Sequence, residues 1–271
     1  MKLHSLTPAL LALAGVLFTQ PAQAFGPGVS ASSGDLILAF EATSGTGSTL
    51  NYEVDLGSIT NFTAGTGTPF SSININTDLT NIYGAGWFND TSLSFVIVGA
   101  VNNGNLSTSA GTIKNGSVLA GDPNAPTLIG SEGSLQLNGA KNSIGVLYGP
   151  SASAAAGTTS NSLSILTTDN TSYHAASGGS LSFGSLGPIS STFAASGTTP
   201  INLALDLLQT TGTTTGTSAF VGAPGSIFSL GSDGTLSFSV QSVPEPSTYA
   251  LMLGGLVLLW QVGRRKFAHL V

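Results

Sequence analysis

The chain contains no cysteine. That single absence excludes disulfides, thiolate metal sites and a cysteine nucleophile together. Charge is almost as scarce: Asp, Glu, Lys and Arg make up 7 % of the residues, against roughly 25 % in ordinary soluble domains. The few charges are unevenly placed. Lys2, Arg264, Arg265 and Lys266 lie at the two ends, while Phe25 to Val243 carries eleven acidic residues against Lys114 and Lys141, a net charge of −9. An acidic body repels phosphate backbones, which excludes nucleic acid as a partner. In place of charge there are 36 glycines and a polar complement of Ser, Thr and Asn. Such a surface stays soluble through neutral hydrogen bonding. A chain without disulfides must rely on its packed core, and 219 residues between the ends suffice for a sizeable one.

The first 24 residues follow the grammar of a secretory signal peptide. Lys2 supplies a short positive start, Leu6 to Phe18 is apolar apart from Thr7, and Ala22-Gln23-Ala24 is an A-x-A cleavage site. The apolar run is too short to span a bilayer comfortably. Cleavage is expected after Ala24, which leaves Phe25 as the new N-terminus.

Residues 244–271 have an equally ordered grammar. Pro244-Glu245-Pro246 stops any strand arriving from the body, because proline lacks the ladder donor. An apolar segment follows from Tyr249 to Val262, then Gly263-Arg264-Arg265-Lys266. Counted from Ser247 to Gly263, a helix would be about 25 Å long. Snorkelling basic side chains stretch that towards the ~30 Å hydrocarbon layer. Tyr249 and Trp260 sit near its ends, as in an aromatic belt. The basic cluster should stay cytoplasmic and leave the body outside. This order of Pro-Glu-Pro, short apolar helix and Arg-rich end resembles the PEP-CTERM sorting signal, and it covers about a tenth of the chain. The resemblance implies export in a bacterium that makes extracellular polysaccharide. It also implies cleavage near the Pro-Glu-Pro motif by an exosortase, a membrane protease. Residues 267–271 run slightly past the usual basic end. The stretch from Gly34 to Gly57 is also similar to the opening of other PEP-CTERM proteins. Bodies in this family are diverse, so the resemblance implies routing and no activity.

Residues 25–243 read as one all-β domain, a β-sandwich or jelly-roll-like body. Leu50 to Leu56 alternates apolar and polar, the period of a half-buried strand. Ser72 to Asn76, Ser134 to Asn138, Ile201 to Leu207 and Leu236 to Val240 do the same. Leu36 to Phe40 and Leu93 to Val101 are apolar on both faces and predict central strands. Turn chemistry separates the runs, as at Asn102-Asn103-Gly104-Asn105 and Ser232-Asp233-Gly234. A short helix is expected over Thr77 to Tyr83, capped by Thr77 or Asp78 and closed by Gly84. Ser151 to Ala156 reads as a helical turn or linker, and Thr210 to Ser218 as a mobile loop.

Catalytic grammar is missing. His174 is the only histidine of the body, no Gly-x-Ser-x-Gly elbow accompanies it, and its polar setting reads as a loop. Glu53 and Asp55 share one face of an alternating strand, expected to be solvated; Glu41 and Glu132 have no nameable partner. No dinucleotide fingerprint or phosphate loop occurs. Asp122, Asn124 and Asp233 offer oxygen ligands for calcium, but in turns that use such side chains for their own backbone. No catalytic, cofactor or metal residue is therefore assigned. The expected role is structural or interactive, at a cell surface or in an exopolysaccharide matrix. The alternatives are a carbohydrate-binding module stacking sugars on Trp87, Tyr83 or Tyr148 and, less favoured, a secreted hydrolase.

Overall fold

The computed structural model describes residues 31–62, 72–108, 111–113, 115–122, 134–149, 153–159, 161–179, 183, 200–210, 216–218 and 226–240. The residues of the expected cleavage site, Ala22 and Ala24, the motif Pro244-Glu245-Pro246 and the cluster Arg264-Arg265-Lys266 lie outside them, as do Glu132 and Asn124.

Four of the five alternating runs form strands, Ser72 to Asn76 only over its first three residues, and thirteen strands occur among the described residues. They are β1 (Asp35–Ala42), β2 (Leu50–Ser58), β3 (Ser72–Asn74), β4 (Leu93–Ala100), β5 (Leu106–Thr108), β6 (Gly111–Ile113), β7 (Val118–Asp122), β8 (Ala155–Ala156), β9 (Ser162–Leu166), β10 (Ile201–Thr210), β11 (Gly216–Ser218), β12 (Ser226–Leu230) and β13 (Thr235–Val240). Eleven of them form one antiparallel sheet in the order β3-β13-β12-β10-β7-β4-β1-β2-β9-β8, with β11 on the far end of β10; β5 and β6 pair separately. The protein is therefore all-β in its main architecture. The two runs expected to be central are central: β1 and β4 are neighbours in mid-sheet, in register from Leu36↔Gly99 to Ala42↔Leu93.

The sheet curls into a half-barrel. One face of β1 (Leu36, Leu38, Phe40) joins Tyr52 and Val54 of β2, Leu203 and Leu205 of β10, Phe228 of β12 and Phe238 of β13 in a single core. Phe62, just beyond β2, closes the curl by packing 5.3 Å from Phe228 and 5.1 Å from Phe238. Gly99 marks a tight point, since a Cβ there would lie 2.7 Å from the Asp35 carbonyl oxygen. Nearby, the β1–β2 register shifts between Leu36 and Ile37. A glycine where backbones approach closely is the expected solution.

The opposite face is also covered. Ile37 and Ala39 of β1, Val96 and Val98 of β4 and Ala120 of β7 pack beneath two helices, α2 (Ser134–Val146) and α3 (Tyr173–Ser177). This layer overturns three expectations. Ser134 to Asn138 is the start of α2 rather than a strand. Only two apolar residues alternate there, whereas Leu137, Ala140, Ile144 and Leu147 recur at helical spacing and are all buried. His174 lies on α3, not in a loop. Glu53 and Asp55 are not on a solvated face: they are 6 % and 9 % exposed.

Three local expectations change as well. Ala155 and Ala156 pair with Ser164 and Leu163 as an edge strand, not a helical turn. Thr210 ends β10 and Gly216–Ser218 returns beside it, so the expected loop is pinned at both ends by a hairpin. The helix α1 (Asn76–Tyr83) forms where expected and is closed by Gly84 at φ +92, but Ile75 occupies the cap position without a side-chain cap, and Asp78 is engaged elsewhere.

Candidate functional site

The layer between β2 and α3 holds a group of chemistry-bearing side chains. Glu41 of β1 and Asn51 and Glu53 of β2 point to the same outer face, because each is one residue out of phase with the core-facing set. They meet the first turn of α3, whose backbone N–H groups have no partner within the helix. The Tyr173 N–H donates to Glu53 Oε1 at 2.7 Å, the His174 N–H to Asn51 Oδ1 at 2.9 Å, and the Ala175 N–H to Ser172 Oγ at 3.2 Å. Three side chains thus cap a helix too short to sustain itself. His174 Nδ1 lies 2.5 Å from Glu41 Oε1; the imidazole side chain is 45 % exposed and the carboxylate 4 %.

The electrostatics follow from burial with few cations. Burial pushes the Glu53 carboxyl up to about 8; the Tyr173 N–H draws it down and the nearby Asp169 charge pushes it up. Burial and then the Asp35 charge push Asp55 up to about 6, against the Gly57 N–H. Burial therefore favours the neutral acid of Glu53. Glu41 Oε2 and the Tyr173 hydroxyl are buried without a hydrogen-bond partner among the described residues, which marks the polar layer as incompletely satisfied.

A carboxylate-oriented, half-exposed imidazole is a geometry that can move a proton. Among the described residues, however, no serine or threonine hydroxyl bonds to the His174 ring. Asp169, its neighbour in sequence, is used otherwise: Oδ1 accepts from the Thr171 N–H and hydroxyl, and Oδ2 from the Ser153 N–H and hydroxyl. Nor do the described residues include a group of three or more His, Asp or Glu able to hold a metal ion. Asp233 accepts from the Thr235 N–H at 2.9 Å and the Thr235 hydroxyl at 3.0 Å, which is turn chemistry rather than a ligand set.

Of the aromatic side chains singled out for sugar stacking, Trp87 and Tyr83 are buried and Tyr148 is half-buried with its hydroxyl engaged. Trp87 is 1 % exposed, donates from Nε1 to Asn76 Oδ1 at 3.0 Å and packs edge-on against Phe88. Tyr83 is buried, with its hydroxyl donating to the Phe40 and Leu50 carbonyls. The Tyr148 hydroxyl accepts from the Ala100 N–H and donates to the Asp35 carbonyl.

A second polar centre escaped the sequence reading. Asp78 of α1 accepts from the Tyr52 hydroxyl (2.7 Å), the Thr158 N–H (2.7 Å) and hydroxyl (2.6 Å), the Thr159 N–H (2.9 Å) and the Ser162 hydroxyl (3.2 Å). It joins α1, which follows edge strand β3, to the β8–β9 turn at the opposite edge of the sheet order. Burial pushes this carboxyl up, but the Thr158, Thr159 and Tyr52 donors more than offset that and hold it at about 2.

No family model matches the chain, and no curated protein or solved structure matches it either. No helix among the described residues is long and apolar enough to cross a membrane.

Proposed function

We propose that this is an exported, non-enzymatic protein of the cell surface or extracellular matrix, routed by its two ends and working through its β-body. The observation that carries the reading is the pair of signals on one chain. A signal peptide ends at Ala22-Gln23-Ala24, and a PEP-CTERM-like tail runs through Pro244-Glu245-Pro246, an apolar segment and Arg264-Arg265-Lys266. An exosortase-like membrane protease is the processing partner. The tail helix holds the chain in the membrane until cleavage, and exopolysaccharide is the surrounding material. The half-barrel serves as a sandwich-like body, its two limbs closing on one core. With no cysteine, the core is held by packing and by internal hydrogen bonds such as those of Asp78. The surface turns, rich in Ser, Thr, Asn and Gly, offer neutral hydrogen bonds to a hydrated polysaccharide.

Replacing Pro244, Glu245 and Pro246 together by alanine tests this reading in the native host. The variant is expected to lose its signal peptide normally yet accumulate in the membrane fraction with its tail intact. Release equal to that of the unaltered protein would count against sorting through this motif.

A further inference from the structure

Three Asn-Gly pairs occur in the chain, at Asn103-Gly104, Asn115-Gly116 and Asn138-Gly139. In an unfolded chain all three are chemically alike, because glycine lacks the Cβ that would hinder attack by its own nitrogen. The fold separates them. Asn138 and Gly139 lie inside α2, whose ladder fixes the backbone in helical geometry and engages the amides. The Gly116 N–H donates to the Val101 carbonyl at 2.8 Å, so it must detach before it can react. Asn103 and Gly104 stand exposed in the bend between β4 and β5. Gly104 has φ +71, and the space where a Cβ would stand is open. No hydrogen bond engages the Gly104 N–H or the Asn103 side chain among the described residues. The flanking positions are anchored: the Asn102 N–H donates to Ser33 Oγ at 2.7 Å, and Asn105 Oδ1 accepts from the Asn115 N–H at 2.8 Å.

We propose that Asn103 is a site of intrinsic, uncatalysed deamidation that the folded protein presents selectively. The Gly104 nitrogen attacks Asn103 Cγ, a C–N bond forms, and the Cγ–Nδ2 bond breaks. The displaced amide nitrogen leaves as ammonia with the proton from Gly104. Water then opens either carbonyl of the cyclic imide, leaving aspartate or isoaspartate. Each event replaces a neutral side chain with a carboxylate on an already acidic body. The isoaspartate product also lengthens the β4–β5 connection by one main-chain carbon. Because Asn102 and Asn105 are tied to Ser33 and Asn115, the change is confined to the exposed bend. A long-lived population of molecules therefore becomes heterogeneous in charge at one place.

The test is timed incubation of the purified full-length protein at mildly alkaline pH, followed by peptide mass spectrometry and isoelectric focusing. Aspartate and isoaspartate should accumulate at Asn103 at least several-fold faster than at Asn115 or Asn138. The same protein in denaturant should react at comparable rates at all three sites. An Asn103→Gln variant should lose the first acidic band to appear while keeping its folded stability. Equal rates at the three sites in the folded protein, or a faster reaction at Asn115, would overturn the proposal.

Discussion

Raising the pH from 6 to 8 is expected to lower the stability of the folded protein, and a Glu53→Gln variant is expected to abolish most of that loss. Glu53 has an ordinary carboxyl value of 4.5 when unfolded and about 8 when buried beneath α3. Between those values the folded state binds a proton that the unfolded state has released. Stability therefore falls as pH rises through the window, by up to about 1.4 kcal/mol per pH unit for one group. Asp55, raised from 3.8 to about 6, acts in the same direction at lower pH. Asp78 acts oppositely: its value is lowered from 3.8 to about 2, so its contribution is present above 3.8 and is lost as pH falls towards 2. The stability maximum should consequently lie on the acid side of neutrality. Over the two units from pH 6 to 8 the melting temperature should drop by roughly 5–10 °C, using the scaling for a domain of about 200 residues. In Glu53→Gln the amide oxygen still accepts from Tyr173, and the curve should be nearly flat there. A wild-type curve that is flat or rising between pH 6 and 8 would show that Glu53 is solvated and that α3 does not cover it.

Asp78→Ala should be the most damaging single change in the polar part of the molecule. It removes the acceptor for four donors at once, two backbone N–H groups and the Thr158 and buried Tyr52 hydroxyls, while the Ser162 hydroxyl keeps the Thr159 carbonyl at 2.6 Å. Donors left unsatisfied cost about 1–3 kcal/mol each where water cannot replace the acceptor. Because the Thr158 and Thr159 groups are only partly buried, water recovers some of the loss. A destabilisation of about 3–5 kcal/mol is expected in chemical denaturation. Asp78→Asn keeps one acceptor oxygen but turns the other into a donor facing donors, and should cost about half as much. A change below 1 kcal/mol in Asp78→Ala would mean that this carboxylate does not tie α1 to the β8–β9 turn.

Local pattern reveals much of this fold, but only where two faces differ. Leu36 to Phe40 and Leu93 to Val101 are apolar on both faces, and they occupy mid-sheet because both faces are covered. Leu50 to Leu56 alternates and is a strand, yet its polar face is not solvent-facing. Alternation reports that two faces differ in chemistry, and it does not say that the polar one is wet. The helices over that face are weakly encoded in local pattern. In α2, Gly139 and Gly145 weaken the helical signal, and Leu135-Gln136-Leu137 imitates a strand. The α3 helix is five residues long and owes its start to Asn51 and Glu53, more than a hundred positions away. The Glu41–His174 pair spans 133 positions and the Asp78–Thr158 pair 80. No periodicity within a segment encodes such pairings; they exist only once the sheet has brought β1, β2 and β9 together. The proposed routing signals are the reverse case. They are short, contiguous and ordered, so the sequence displays them directly.

Those signals carry the functional reading, and the intact mass of the protein recovered from each compartment of its native host tests it most directly. A mass beginning at Phe25 and ending near Val243, found in the outer surface or the medium, is expected. A mass that runs through Val271 and stays in the inner membrane would contradict it, and would leave a plain C-terminally anchored protein in place of a sorted one.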